Sequence, residues 1–128
     1  MINVYFWKIT GLILFVIIVL CLLFRPIAPF EIKNSQVHGV GVFATKDHDA
    51  NEKLFLVINC DKTIEETLGS KVNHCPSSSK KMNTKLVKVG NEWYAYSSKK
   101  ILKGEELTTD YVQTPYFIMK PDKNYVQC

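Results

Sequence analysis

The chain has 128 residues, is 47% hydrophobic and 22% charged, and carries a formal net charge of +4. That length holds one domain at most. Lysines are scattered from Lys33 to Lys123 without an interleaved Arg–aromatic pattern, so nucleic-acid binding is not indicated and a solvated basic surface is the expectation.

The apolar residues are concentrated at the start. Ile9–Phe24 contains no charge and only Thr10 as a polar side chain. Residues 4–24 reach the roughly 20 that a bilayer core requires if Lys8 extends to the interface. Tyr5 and Trp7 stand where interfacial aromatics belong, and Arg25-Pro26 closes the run. A cleaved signal peptide would end in small residues, whereas Leu22-Leu-Phe-Arg-Pro26 follows here. A core helix would be amphipathic, and this run is apolar all round. The sequence therefore predicts one transmembrane α-helix, with residues 1–30 as a membrane anchor and Pro-containing linker and residues 31–128 as the domain. Flanking charges are nearly tied and code orientation weakly.

Next comes Ser35-Gln-Val-His-Gly-Val-Gly-Val-Phe-Ala44. Paired glycines at 39 and 41 before a strand allow close approach of the backbone to a ligand or to another segment. They are not the dinucleotide fingerprint, because the third glycine and the helix are missing. Leu54–Ile58 is an unbroken apolar run, predicted as a buried strand. Thr63-x-x-Glu66 reads as a capping box for one helical turn ending at Leu68-Gly69. Val72-Asn-His-Cys75 reads as irregular and rich in hydrogen-bonding groups. His38, His48 and Cys60 complete no zinc-ligand spacing, and no metal is expected. Pro76–Lys81 is a Ser/Lys-rich surface loop. Lys85–Val89, Gly90-Asn91 and Trp93–Ser97 predict a β-hairpin. Lys103-Gly104-Glu105 is a turn, Leu107-Thr-Thr109 a strand, and Tyr111 its end. The aromatic tail from Pro115 to Cys128 is expected to pack back on the domain. The four cysteines, Cys21, Cys60, Cys75 and Cys128, show no paired spacing, which reads as free thiols in a reducing compartment.

Three of these stretches, in this order, resemble motifs of the SET domain family of protein lysine methyltransferases. Ser35–Ala44 is similar to its glycine motif, Asn73-His74-Cys75 to part of its Asn-His motif, and Ile101, Gly104–Thr108, Asp110 and Tyr111 to its last motif. The likeness covers about residues 33–112 and is nearest to minimal, viral-like SET proteins without flanking domains. It implies a mainly β fold of small twisted sheets around a C-terminal pseudoknot, with the segment after Tyr111 threading past Asn73-His74. It implies S-adenosyl-L-methionine as cofactor, held by Gly39, Val40, Gly41, Asn73, His74 and Tyr111. It also implies Tyr111 as the catalytic residue, and a lysine-bearing protein, histone or other, as substrate. Together with the anchor, the expected protein is a single-pass membrane methyltransferase with its domain in the cytosol.

Departures from the motifs leave a second reading, a catalytically inactive SET-fold binding or scaffold protein at a membrane. The Arg–aromatic pair before Asn73 is replaced by Ser70-Lys71, and the insert before Asn73 is short. Asn83 can close the Asn-His motif only across an enlarged loop. Glu105 and Glu106 read as structural or surface groups, and no second channel tyrosine is assigned among Tyr94, Tyr96 and Tyr116.

Overall fold

A computed structural model describes the backbone of residues 4–61 and 63–113 and the side chains of residues 7–61 and 63–112. The expected aromatic tail and the threading after Tyr111 lie outside the described residues. Among the described residues the chain is mainly β, with one N-terminal helix, α1 (Val4–Leu23), and seven strands. Among the described residues no helix is long and apolar enough to cross a membrane. This corrects the expected span over residues 4–24. Lys8 lies inside α1, and the uncharged stretch Ile9–Leu23 rises only about 22 Å at ~1.5 Å per residue, against a hydrocarbon core of about 30 Å.

The strands are β1 (Phe30–Asn34), β2 (Val40–Ala44), β3 (Lys53–Ile58), β4 (Asn73–His74), β5 (Thr84–Val89), β6 (Glu92–Ser97) and β7 (Glu106–Thr109). They lie in the order β1-β2-β7-β5-β6-β3, and β4 pairs with β7 beside that path. The hairpin β5–β6 forms in the expected register, from Thr84 opposite Ser97 to Val89 opposite Glu92. Its turn uses Gly90 at φ +62°, a conformation that a Cβ disfavours.

The strands flanking the Gly104 turn do not pair with each other. β7 leaves β6 and inserts between β2 and β5, antiparallel to β2 and parallel to both β4 and β5. This makes β7 the strand on which both halves of the sheet close. Leu107, with Val42, Ala44, Val72, Ile101 and Phe30, forms the larger core cluster, and Val57, Ile58 and Ala95 form the smaller. Leu54 and Phe55 pack against both.

Two local expectations fail. β3 is an edge strand bonded only to β6 on the sheet path, so Leu54, Phe55 and Leu56 are half-buried and only Val57 and Ile58 are buried. The capping box at Thr63–Glu66 forms no α-helix. The Asn59 carboxamide accepts the Asp61 and Thr63 N–H groups and turns the chain back. Ile64 then bridges Ile58, and a 3₁₀ turn forms later, at Gly69–Lys71. Competition from a side-chain turn and a strand bridge outweighs one short helical turn.

Gly69 fits where nothing larger does. A Cβ there would lie 2.8 Å from the Val57 carbonyl oxygen and 2.9 Å from its Cα. Both are backbone atoms, so relief requires strand movement. Gly69→Ala is expected to cost about 1–3 kcal/mol, read as a lower urea midpoint with an unchanged slope; an unaltered midpoint would show that the 3₁₀ turn shifts freely.

The first strand starts at Phe30, the last residue of the segment expected to be linker. Phe30 is buried, stacks on the His48 ring (centroids 4.9 Å) and meets Phe55 edge-on (5.0 Å). His48 Nδ1 is 3.0 Å from Glu52 Oε1. That hydrogen bond holds the Glu52 carboxyl below its ordinary pKa against the opposing effect of burial. Cys75 is fully buried and disulfide-bonded, whereas Cys21 and Cys60 are free. This corrects the expectation of free thiols throughout, since pairing follows spatial proximity and not sequence spacing.

Candidate functional site

Segments far apart in sequence meet at the side chain of Asn73. β4 runs parallel to β7, with Asn73 opposite Thr108 and His74 opposite Thr109; the segment expected to be irregular is thus a two-residue strand. This pairing turns the buried Asn73 amide toward the glycine stretch. Its Nδ2 donates to the His38 carbonyl (3.0 Å), the Val40 carbonyl (3.0 Å) and Glu106 Oε1 (2.8 Å). Two N–H hydrogens thus serve three acceptors, one of them shared.

Glu106 completes the knot. Its Oε1 also accepts the Ser35 hydroxyl at 2.7 Å, and the Ser35 oxygen in turn accepts the Val37 N–H at 2.8 Å. The carboxylate therefore ties both ends of the turn between β1 and β2 to Asn73. Glu106 was expected to be structural or at the surface, and it is structural. Its role was hidden because it depends on β7 lying beside β2, with Glu106 opposite Phe43.

The two glycines serve different ends. Gly39 adopts φ +49°, and a Cβ built there meets nothing within 4 Å, so its backbone faces open space. Gly41 has an extended conformation and is buried. A Cβ there would strike Glu106 Oε1, lie 2.8 Å from its Cδ and 3.2 Å from Asn73 Nδ2. Close approach at Gly41 is thus to the protein's own clamp, and the space left by the missing side chain is filled by Glu106.

Tyr111 follows β7 in a 3₁₀ turn, Tyr111–Gln113, rather than ending a strand. Its N–H donates to His74 Nδ1 at 3.1 Å, and the two rings lie 5.2 Å apart, tilted by 51°. Its hydroxyl donates to the Val72 carbonyl. A phenol that gives its proton to a fixed carbonyl keeps lone pairs that can accept from an amine.

Asp110, between Thr109 and Tyr111, anchors the next loop. It is buried, 5% exposed, and accepts the Ser77 N–H (2.9 Å), the Ser77 hydroxyl and the Val112 N–H (2.9 Å). His74 Nδ1 lies 3.9 Å away. Burial raises the Asp110 carboxyl pKa, but the Ser77 hydroxyl, the Val112 and Ser77 N–H groups and His74 outweigh it, and the net shift is downward. A depressed folded-state value contributes stability that is present above the unfolded value of about 4 and is lost as pH falls through the folded one. Thermal midpoints are therefore expected to drop between about pH 5 and pH 3, and Asp110→Asn should flatten that part of the profile. An equal slope in both proteins would remove Asp110 as its source.

Asn83 follows the Pro76–Lys81 loop and is held against β7. It is buried, donates from Nδ2 to the Glu106 carbonyl (2.8 Å) and accepts the Thr108 N–H on Oδ1 (3.0 Å), taking the place of a neighbouring strand along β7. Tyr94 donates instead to Glu92 and carries the Lys53 ammonium 3.4 Å over its ring. Tyr116 lies outside the described residues.

The structure thus brings together Gly39, Val40, Gly41, Asn73, His74 and Tyr111. A cleft of about 440 Å³ lies elsewhere, against Phe43, Glu106 and Thr108; none of those six residues lines it.

No protein-family profile matches the chain, and no curated protein matches it. Among solved structures it is similar to the crystal structure of a candidate histone methyltransferase from Plasmodium falciparum. That match has 20% identity and a TM-score of 0.45, and it covers 67% of this chain and 95% of the other. Identity and score at this level do not separate shared function from a shared arrangement of strands.

Proposed function

We propose that this chain is an S-adenosyl-L-methionine-dependent protein-lysine N-methyltransferase of the SET type. The observation that carries the reading is the Asn73 amide, which joins the glycine stretch at His38 and Val40 to β7 at Glu106. It ties together the three stretches whose order in the sequence resembles the family. The residues fit the cofactor at one place in particular. The backbone at Gly39 is open, beside the exposed Val40 and within one hydrogen-bond network with Asn73.

When bound, S-adenosyl-L-methionine supplies an electrophilic methyl group. What the chain supplies is position. Asn73 fixes the glycine turn, His74 fixes the backbone of Tyr111, and Val72 fixes the direction of the phenol O–H. The phenol oxygen then accepts from the incoming lysine amine and orients it, with Tyr111 as the catalytic residue. No general base is assigned, and Glu106 is committed to the clamp.

A second reading is favoured by the cleft, which lies away from Tyr111: a SET-fold protein that binds without transferring methyl groups. Calorimetric titration of the full chain with S-adenosyl-L-methionine, followed by transfer of labelled methyl groups to a mixed protein lysate, separates the two. Binding with labelling supports the enzyme, binding without labelling supports the second reading, and no binding sinks the cofactor-site assignment.

The proposal keeps a membrane contact through residues 4–24, along the bilayer surface and not as a span. Along α1, Leu12, Phe15, Ile17 and Leu23 are all exposed, an apolar surface that water disfavours. Co-sedimentation of the full chain with lipid vesicles is expected, and its absence would end the proposed membrane contact. Protease protection then decides the side. The methyl donor requires the cytosolic face, whereas a persistent Cys75 disulfide is the mark of an oxidising compartment.

A further inference from the structure

The Ser77–Lys81 loop and the residue pair after β6 bring three lysines to one concave surface. Lys80, Lys81 and Lys99 all line the 440 Å³ cleft, a size within the range of small-molecule sites. Among the described residues none of the three ammonium groups has a carboxylate partner within ion-pair distance. Isolated surface lysines are ordinarily solvated and mobile, but these stand on restrained backbone. The loop is pinned at one end by Asp110, which holds Ser77, and at the other by the Thr108 hydroxyl, which donates to the Lys81 carbonyl at 3.1 Å. The Lys99 ammonium donates to the Lys80 carbonyl and bridges the two walls.

The two carboxylates in the cleft are already engaged. Glu106 Oε1 accepts from Ser35 and Asn73, and Glu105 Oε2 accepts the Leu102 N–H at 2.8 Å. Three cations against two hydrogen-bonded anions leave a net positive cleft. Its carboxylates retain lone pairs for hydroxyl or amino donors, and Phe43 offers a half-buried ring beside them. Lysine binds phosphate as a compact point charge, and preorganised charges lose less on binding than free ones.

We propose that this cleft is a second binding site, separate from the residues assigned to methyl transfer, and that it takes a small phosphate-bearing ligand with hydroxyl or amino donors. Phosphate goes to Lys80, Lys81 and Lys99, and the donor groups go to Glu105 and Glu106. The proposal stands whether or not the chain transfers methyl groups.

The same phosphate chemistry is offered by a free metabolite and by a phosphorylated lipid headgroup, so the test has two arms. Inorganic pyrophosphate is titrated into the full chain at fixed ionic strength. In parallel, the chain is sedimented with phosphatidylcholine vesicles that either carry or lack an inositol phosphate headgroup. The comparison proteins are the triple variant Lys80→Ala/Lys81→Ala/Lys99→Ala and, as a charge control outside the cleft, Lys88→Ala. All four lysines are exposed, so the fold should persist, and circular dichroism checks it.

Pyrophosphate binding that weakens at least tenfold in the triple variant and is unchanged in Lys88→Ala supports a soluble ligand. Headgroup-dependent sedimentation lost only in the triple variant supports the lipid source. No binding in either arm, or equal weakening in both variants, overturns the site.

Discussion

Tyr111→Phe is expected to lower methyl transfer by roughly two to three decades while leaving cofactor affinity nearly unchanged. The ring survives, and with it the packing against His74 at 5.2 Å. The backbone bond from the Tyr111 N–H to His74 also survives, because it does not involve the side chain. What is lost is the hydroxyl, with its bond to the Val72 carbonyl. Val72 is 3% exposed, so a partly desolvated carbonyl loses its donor, at a stability cost of about 1 kcal/mol. The kinetic loss is larger if the phenol oxygen orients the amine mainly in the transition state. About 2–4 kcal/mol of oriented hydrogen bonding corresponds to the rate change above, and kcat and kcat/KM should fall together. Stopped-time labelling on matched folded protein measures this. Turnover equal to the parent, with only the stability loss, would make Tyr111 a structural residue. A change in the number of methyl groups added, at an unchanged rate, would mean that the hydroxyl limits space instead of orienting the amine.

The second large effect is expected at Asn73. Asn73→Ala removes donors from three acceptors at once and leaves the Glu106 carboxylate with Ser35 as its remaining side-chain partner. Each buried group left unsatisfied costs about 1–3 kcal/mol, more when charged. Water entering the space offsets part of that, and a net loss of about 3–5 kcal/mol is expected. For a domain of this size that lowers the thermal midpoint by well over ~10 °C. Cofactor affinity should fall as well, because the turn at Gly39–Gly41 loses its tether.

Glu106→Gln separates charge from connectivity. The amide keeps an acceptor for Ser35 and Asn73 without a half-buried charge, and it should be milder than Asn73→Ala. The double variant should cost less than the sum of the two singles, as expected for groups in one network. Additive losses, or an Asn73→Ala loss below ~1 kcal/mol, would mean that the glycine turn is held by something other than this clamp.

The sequence by itself determined the local elements whose causes are local. The β5–β6 hairpin follows from alternating β-formers around Gly90-Asn91, and its register came out as the turn dictates. The turn at Gly104 follows from its glycine, at φ +89°.

The order of the three motif stretches was also legible, because residue types at fixed spacing survive without knowledge of the fold. What they touch was not legible. Gly41 read as a place where a ligand approaches, and the structure fills that space with Glu106. Thr63–Glu66 read as a helix start, yet the chain there returns to β3, since a turn at Asn59 and a bridge to Ile58 outweigh a single helical turn.

Only the tertiary structure decided the rest, and for one reason. β7 sits between β2 and β5, away from its sequence neighbour β6. That long-range placement puts Glu106 under the glycine turn, Thr108 beside Asn73 and Asp110 over Ser77. Hydrophobic periodicity reports which face of a strand is buried and is silent on which strand lies beside it. The clamp and the lysine-lined cleft are both products of that neighbour choice.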